Sequence, residues 1–140
     1  NGLLETQLRK LTPNYPYMVV DNEAGMEHIS RGILPKVDTI ILVSDCSRRG
    51  VQAVGRIRSL IDECNMKPSK IGLIVNRAPG GKLNQGTLEE IENQHLDLLG
   101  VIPQDDSVYE FDCDGKPIIQ LPADSPVRKA LYSVLDKMSL

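Results

Sequence analysis

Four short apolar runs mark the chain, at residues 17–20 (YMVV), 39–43 (TIILV), 71–75 (IGLIV) and 98–102 (LLGVI). Each is continuously apolar rather than alternating, which is how a strand covered on both faces reads. Each gives way to small or polar residues: Asp21-Asn22, Ser44-Asp45, Asn76-Arg77 and Pro103-Gln104. Stretches of helical period lie between them. Val51, Val54, Ile57, Ile61 and Cys64 form one apolar stripe. Thr87 with Glu90 three residues later has the form of a capping box. Ser125-Pro126 reads as N-cap then N1 and opens a helix with Val127, Leu131, Val134, Leu135 and Met138 on one face. Leu4, Leu8 and Leu11 predict a further helix before the first run.

Strands alternating with helices predict an α/β fold with a mostly parallel sheet, helices on both faces and right-handed connections. In such sheets ligands bind beyond the carboxyl ends of the strands. The four polar run ends are therefore where chemistry is expected.

Composition narrows the class. The chain has 140 residues, 41% hydrophobic and 25% charged, close to a globular average. There is no Trp and one Phe, so the core is aliphatic. Sixteen basic against 19 acidic residues leave −3, which offers no broad attraction to nucleic acid or anionic lipid. Neither partner is expected. Cys46, Cys64 and Cys113 are an odd, sparse set without metal-pair spacing, as expected of reduced thiols and a cytoplasmic location. No apolar run approaches the length of a membrane span. The chain opens on Asn1-Gly2 rather than Met, which fits a piece of a longer protein.

The most specific string follows the first run: Asp21-Asn22-Glu23-Ala24-Gly25-Met26-Glu27-His28. Four apolar residues and an aspartate form the Walker B pattern, in which a carboxylate at a strand end holds Mg²⁺, often through water. Gly25 would let backbone approach a phosphate. The competing reading of Asp21 alone is a helix cap.

DNEAGMEHISRG resembles the switch II segment of the carbon monoxide dehydrogenase accessory ATPases, the CooC-type nickel-insertion proteins. These stand among the deviant-Walker P-loop ATPases, with MinD, ParA and the nitrogenase iron protein. The resemblance continues through VDTIILVSDCSRRGVQAVGRI, IGLIVNR and LLGVIPQDDSVYEFDCDGKPI, and so covers essentially the whole chain. It implies a P-loop NTPase-like fold, with residues 1–140 forming the C-terminal portion of one such domain. By the same resemblance Asp21 is the carboxylate near Mg²⁺ and Gly25 offers its N–H to the γ-phosphate. Asn76 recognises adenine, Arg77 packs by the base, and Pro103, Gln104 and Asp105 line base and ribose. A side-chain amide can both donate to and accept from the N7/N6 edge of adenine. The resemblance further implies ATP or ADP with Mg²⁺ as ligands, nickel or zinc at an upstream Cys-X-Cys pair, a homodimer, and carbon monoxide dehydrogenase as client.

The sequence departs from that pattern in three respects. It contains no Gly-rich loop ending in Lys-Ser or Lys-Thr. Pro79-Gly80-Gly81-Lys82 lacks the following hydroxyl residue and reads as a turn. The Cys-X-Cys pair and the switch I aspartate are absent too. Because the phosphate-loop strand of this class lies between the Walker B strand and the run at 39–43, three outcomes are expected. The two strands close up, another chain fills the gap, or the missing strand belongs to a segment outside this sequence. Backbone N–H groups and a lysine on the triphosphate supply most of the stabilisation in phosphoryl transfer, so this chain alone is expected to be inactive as an ATPase.

Other residues have plainer readings. His28 and His95 read as surface residues, Cys64 as core, Cys113 as part of a helix end and turn. Arg48 and Arg49 either face phosphate or a partner, or begin a solvated helix. The alternative to a nickel-insertion ATPase fragment is a non-catalytic α/β interaction module that lacks the phosphate loop. A phospho-acceptor receiver domain fits less well, since Asp105-Asp106 follows the last run rather than the first.

Overall fold

In a computed structural model of the chain, residues 2–22 and 37–138 are described. Helices α1 (Gly2–Leu11), α2 (Arg48–Glu63), α3 (Gln85–Asn93), α4 (Asp106–Cys113) and α5 (Pro126–Met138) accompany strands β1 (Thr39–Asp45), β2 (Lys70–Ala78) and β3 (Leu98–Pro103). The strands form one parallel sheet in the order β1-β2-β3. In the β2–β3 ladder Leu73 stands opposite Leu98, Ile74 opposite Gly100, Val75 opposite Val101 and Ala78 opposite Pro103.

Two compact units are distinguished. One comprises residues 1–40 with 56–70, the other residues 41–55 with 71–140. In the first, α1 ends in a short 3₁₀ turn at Thr12–Asn14, and the Asp38 carbonyl accepts from Ser69 N and Lys70 N. In the second, β2 is buried from Gly72 to Val75 on both faces, as its unbroken apolar run predicts. Ile74, Leu99 and Ile102 pack with Val127, Val134 and Met138, so α5 covers one face of β2 and β3. Leu73 and Val75 point the other way and are fully buried. Two close approaches demand glycine. A Cβ on Gly72 would stand 2.3 Å from Leu99 Cδ1, and one on Gly100 would stand 2.5 Å from Val134 Cγ2.

Four expectations need correcting. Residues 17–20 are not a strand: they have no regular structure, and all four are exposed. The sheet among the described residues consists of β1, β2 and β3. The run at 39–43 is a strand but is not covered on both faces. Leu42 and Ser44 are buried while Ile41 and Val43 are exposed, so one face of β1 is left uncovered by the described residues. Cys64 lies beyond the end of α2, in the turn, and is exposed rather than core. In α5 the predicted stripe is narrower than read: Val127, Val134 and Met138 are buried, Leu131 and Leu135 exposed. Its start is as read, with Ser125 Oγ accepting from Arg128 N at 3.4 Å.

Candidate functional site

The carboxyl ends of β2 and β3 bound an open groove of about 560 Å³, lined by Pro79, Gly80, Gln104, Asp105, Asp106 and Pro126. Local chemistry shapes each wall. Pro79–Gly81 form a 3₁₀ turn in which Gly80 and Gly81 take φ of 61° and 68°, which glycine adopts without strain. Gln104 N donates to Ala78 O at 2.9 Å and so carries the β2–β3 ladder one residue past Pro103. Asp105 is the N-cap of α4: its Oδ1 accepts from Ser107 N at 2.9 Å and from the Ser107 hydroxyl at 2.6 Å. Its carboxylate keeps further acceptor capacity beyond those two bonds.

Asn76 and Arg77 stand at the end of β2, beside the Pro79 turn. Arg77 is exposed and adopts φ 57°, a left-handed conformation uncommon outside glycine. Its N–H donates to Asn76 Oδ1 at 2.9 Å. The end of β1 carries a second polar knot. Asp45 Oδ1 accepts from Ser47 N at 2.9 Å and from the Ser47 hydroxyl at 2.6 Å, and Ser47 Oγ in turn accepts from Gly50 N at 3.0 Å. Those bonds start α2 and hold the Asp45 carboxyl below its ordinary pKa, the Ser47 hydroxyl contributing most and the Ser47 N–H next.

The groove thus unites Gln104 and Asp105, and Asn76, Arg77 and Pro103 flank it along the chain. Asp21 is described but lies in the irregular exposed segment, not at a strand end. Gly25, with His28 and the rest of 23–36, lies outside the described residues. No group of three or more His, Cys, Asp or Glu side chains that could hold a metal occurs among the described residues. Two side-chain amides and a partly committed carboxylate can match the donors and acceptors of a base and sugar.

Sequence reading missed a buried polar cluster around Thr87 and Glu90. The N-cap of α3 is Asn84, three residues before Thr87, so Thr87 and Glu90 do not form the expected capping box. Asn84 Oδ1 accepts from Thr87 N at 2.8 Å. Glu90 instead turns inward, where its Oε2 accepts from Arg48 Nε at 2.7 Å and its Oε1 from Gln94 Nε2 at 2.9 Å. The signal was present: Thr87, Glu90, Ile91 and Gln94 share one helical face, which puts a carboxylate on the buried stripe.

No protein-family model matches the chain. Its fold is that of the P-loop NTPases of the MinD and ParA type, and its sequence resembles the deviant-Walker ATPase class. Among solved structures it superposes on septum site-determining protein MinD from Pyrococcus horikoshii, in complex with Mg-ADP, with a TM-score of 0.76. That match has 18% identity and covers 96% of this chain and 55% of that one. Among curated proteins it is 31% identical over 142 residues to the ATP-binding protein MJ0685 of Methanocaldococcus jannaschii, covering 99% of this chain and 54% of that protein. It is 28% identical over 148 residues to the carbon monoxide dehydrogenase accessory protein CooC of Rhodospirillum rubrum, covering 96% and 51%. The chain therefore spans about half the length of the curated relatives it matches.

Proposed function

We propose that the chain forms the base-binding and switch portion of an ATP-dependent maturation ATPase that delivers nickel to carbon monoxide dehydrogenase. The observation that carries the nucleotide reading is the groove at the ends of β2 and β3, where Gln104 and Asp105 meet beside the Asn76-Arg77 turn. The client follows from similarity to CooC along nearly the whole chain. In this reading Asn76, Arg77, Pro103, Gln104 and Asp105 hold adenine and ribose, and Gly25 meets the terminal phosphate. Asp21 supplies one hard oxygen toward Mg²⁺. A single carboxylate suits that ion, which keeps several waters and takes its other ligands from substrate phosphates. Bound Mg²⁺ would offset charge on the phosphates. Nickel is cargo, the working form is a cytoplasmic homodimer, and the isolated 140-residue chain does not hydrolyse ATP.

The experiment is nickel loading of metal-free carbon monoxide dehydrogenase by the intact protein with ATP, read as bound nickel and CO oxidation. Asp21→Asn should abolish ATP-dependent loading. An intact protein that binds ATP yet leaves nickel content unchanged removes the client. One that binds no adenine nucleotide removes the ATPase reading and leaves the interaction module.

A further inference from the structure

Thr87 and Glu90 do not line the groove, yet they are among the most buried polar residues described, 2% and 4% exposed. Their bonds reach far along the sequence. The Thr87 hydroxyl donates to the carbonyl of Cys46 at 2.8 Å. Glu90 grips Arg48, two residues further along, at the first position of α2. Cys46 Sγ lies 3.9 Å from the carbonyl of Arg77, a weak hydrogen bond between the ends of β1 and β2. Arg77 N then donates to Asn76 Oδ1. A continuous chain of contacts thus runs from the inside of α3, through the β1–α2 loop, to the amide of Asn76.

We propose that Thr87 and Glu90 are positioning residues that fix the orientation of the Asn76 amide and thereby set the preference for adenine over guanine. The proposal rests on the reading of Asn76 as the base-binding residue. The bond from Arg77 N identifies which end of the amide is oxygen and holds it there. Oδ1 keeps one lone pair free, and Nδ2 keeps its protons. That pair complements the N6–H donor and N7 acceptor of adenine. Guanine presents O6 in place of the donor, so a held Oδ1 meets another acceptor. A free amide could turn away and escape that repulsion; an anchored one cannot. Discrimination therefore depends on the anchor as much as on Asn76 itself. The N–H that makes the anchor belongs to Arg77, which takes an uncommon left-handed conformation, and the Cys46 contact braces the carbonyl of that same residue.

The test measures Mg-ADP, Mg-GDP and Mg-pyrophosphate affinities of the intact protein by calorimetry. In Thr87→Val the ratio of GDP to ADP dissociation constants should fall by about tenfold, the scale of one base-edge contact, with pyrophosphate affinity unchanged. Thr87→Ser keeps the hydroxyl and should keep the wild-type ratio. Cys46→Ala breaks the same chain without touching α3, and carries the test if Thr87→Val does not fold. Glu90→Gln should move the ratio the same way by a smaller factor; a wild-type ratio there removes Glu90 from the brace. Equal weakening of all three ligands in Thr87→Val and Cys46→Ala, or no change, overturns the proposal. A wild-type protein that binds ADP and GDP alike overturns the reading of Asn76 as well.

Discussion

Residues 17–20 (YMVV) and 71–75 (IGLIV) are both unbroken apolar runs, with opposite fates. The second is the middle of β2, with β1 on one side, β3 on the other and side chains buried above and below. The first has no strand, and Tyr17, Met18, Val19 and Val20 are all exposed, Val19 to 92%. Strand formation is a property of a pair. Backbone N–H and C=O groups leave water only when a neighbouring strand takes them up, and side-chain pairs across strands supply the stabilisation. An apolar run therefore encodes affinity for a covered place in a sheet. It does not encode the cover.

The largest effect that separates the two runs is cavity formation. Leu73→Ala removes a fully buried side chain from β2 and should cost about 2–5 kcal/mol. Val19→Ala should stay within about 0.5 kcal/mol, as surface substitutions do. Urea unfolding midpoints of the two variants decide. A Val19→Ala cost near that of Leu73→Ala would break the comparison, because it would mean that the first run is packed in solution.

Overpacking tests the same contrast from the other side. Gly72 on β2 faces Leu99, and an added methyl would sit 2.3 Å from Leu99 Cδ1 and 2.4 Å from its Cγ. The branch point cannot swing aside as a side-chain tip could. Gly72→Ala should therefore cost about 1–3 kcal/mol. A neutral Gly72→Ala would show that the β2–β3 contact is looser than its geometry.

These contrasts explain what was legible in the sequence. The runs at 39–43, 71–75 and 98–102 became strands, and the Ser125-Pro126 start became a helix start, because each signal is local or is met by a partner within the chain. The turn at Pro79 was legible for the same reason: glycines at positive φ announce themselves. The misreadings all concern partners. The run at 17–20 has no strand partner among the described residues. Cys64 kept the helical period of Val51, Val54 and Ile61, but the helix ends at Glu63 and the next residue leaves its face. Thr87 and Glu90 had the spacing of a cap, but Asn84 already held that position; Thr87 keeps a contact with Asn84 Oδ1, and both side chains reach partners some forty residues away. Gln104 and Asp105, singled out by resemblance, line the groove; the Thr87–Cys46 bond was not legible, because no local pattern records a bond from α3 to the β1–α2 loop.

Acid sharpens the comparison electrostatically. Glu90 is held below its ordinary pKa of 4.5, first by the Gln94 amide and then by the Arg48 guanidinium. Asp45 is held below 3.8 by Ser47. In both, the unfolded chain takes up its proton at a higher pH than the folded one. Their stabilisation is complete above the unfolded pKa and is lost as pH falls through the lower folded value. Unfolding midpoints should therefore decline as pH drops below the ordinary carboxylate range. In Glu90→Gln that decline should be shallower. An identical slope in the variant would show that the Arg48–Glu90–Gln94 cluster does not hold in solution.

Strand β1 supplies the intermediate case, and with it the smallest effect. It pairs with β2 on one edge, buries Leu42 on one face, and leaves Val43 58% exposed on the other. If cover rather than hydropathy decides, adjacent residues of one apolar run should behave like members of the two different regions. Val43→Thr keeps the β-branched shape that suits a pleated strand and adds a hydroxyl that water can satisfy. It should change stability by less than about 0.5 kcal/mol. Leu42→Ala, one residue away, should lose about 2–5 kcal/mol. The substitution at Val43 has a second reading in the intact protein. Should its stability drop by more than 1 kcal/mol or so there, beyond the range of a surface substitution, while the 140-residue chain is unmoved, another segment covers that face. The boundary between the two regions would then lie in what accompanies the chain rather than in the chain itself.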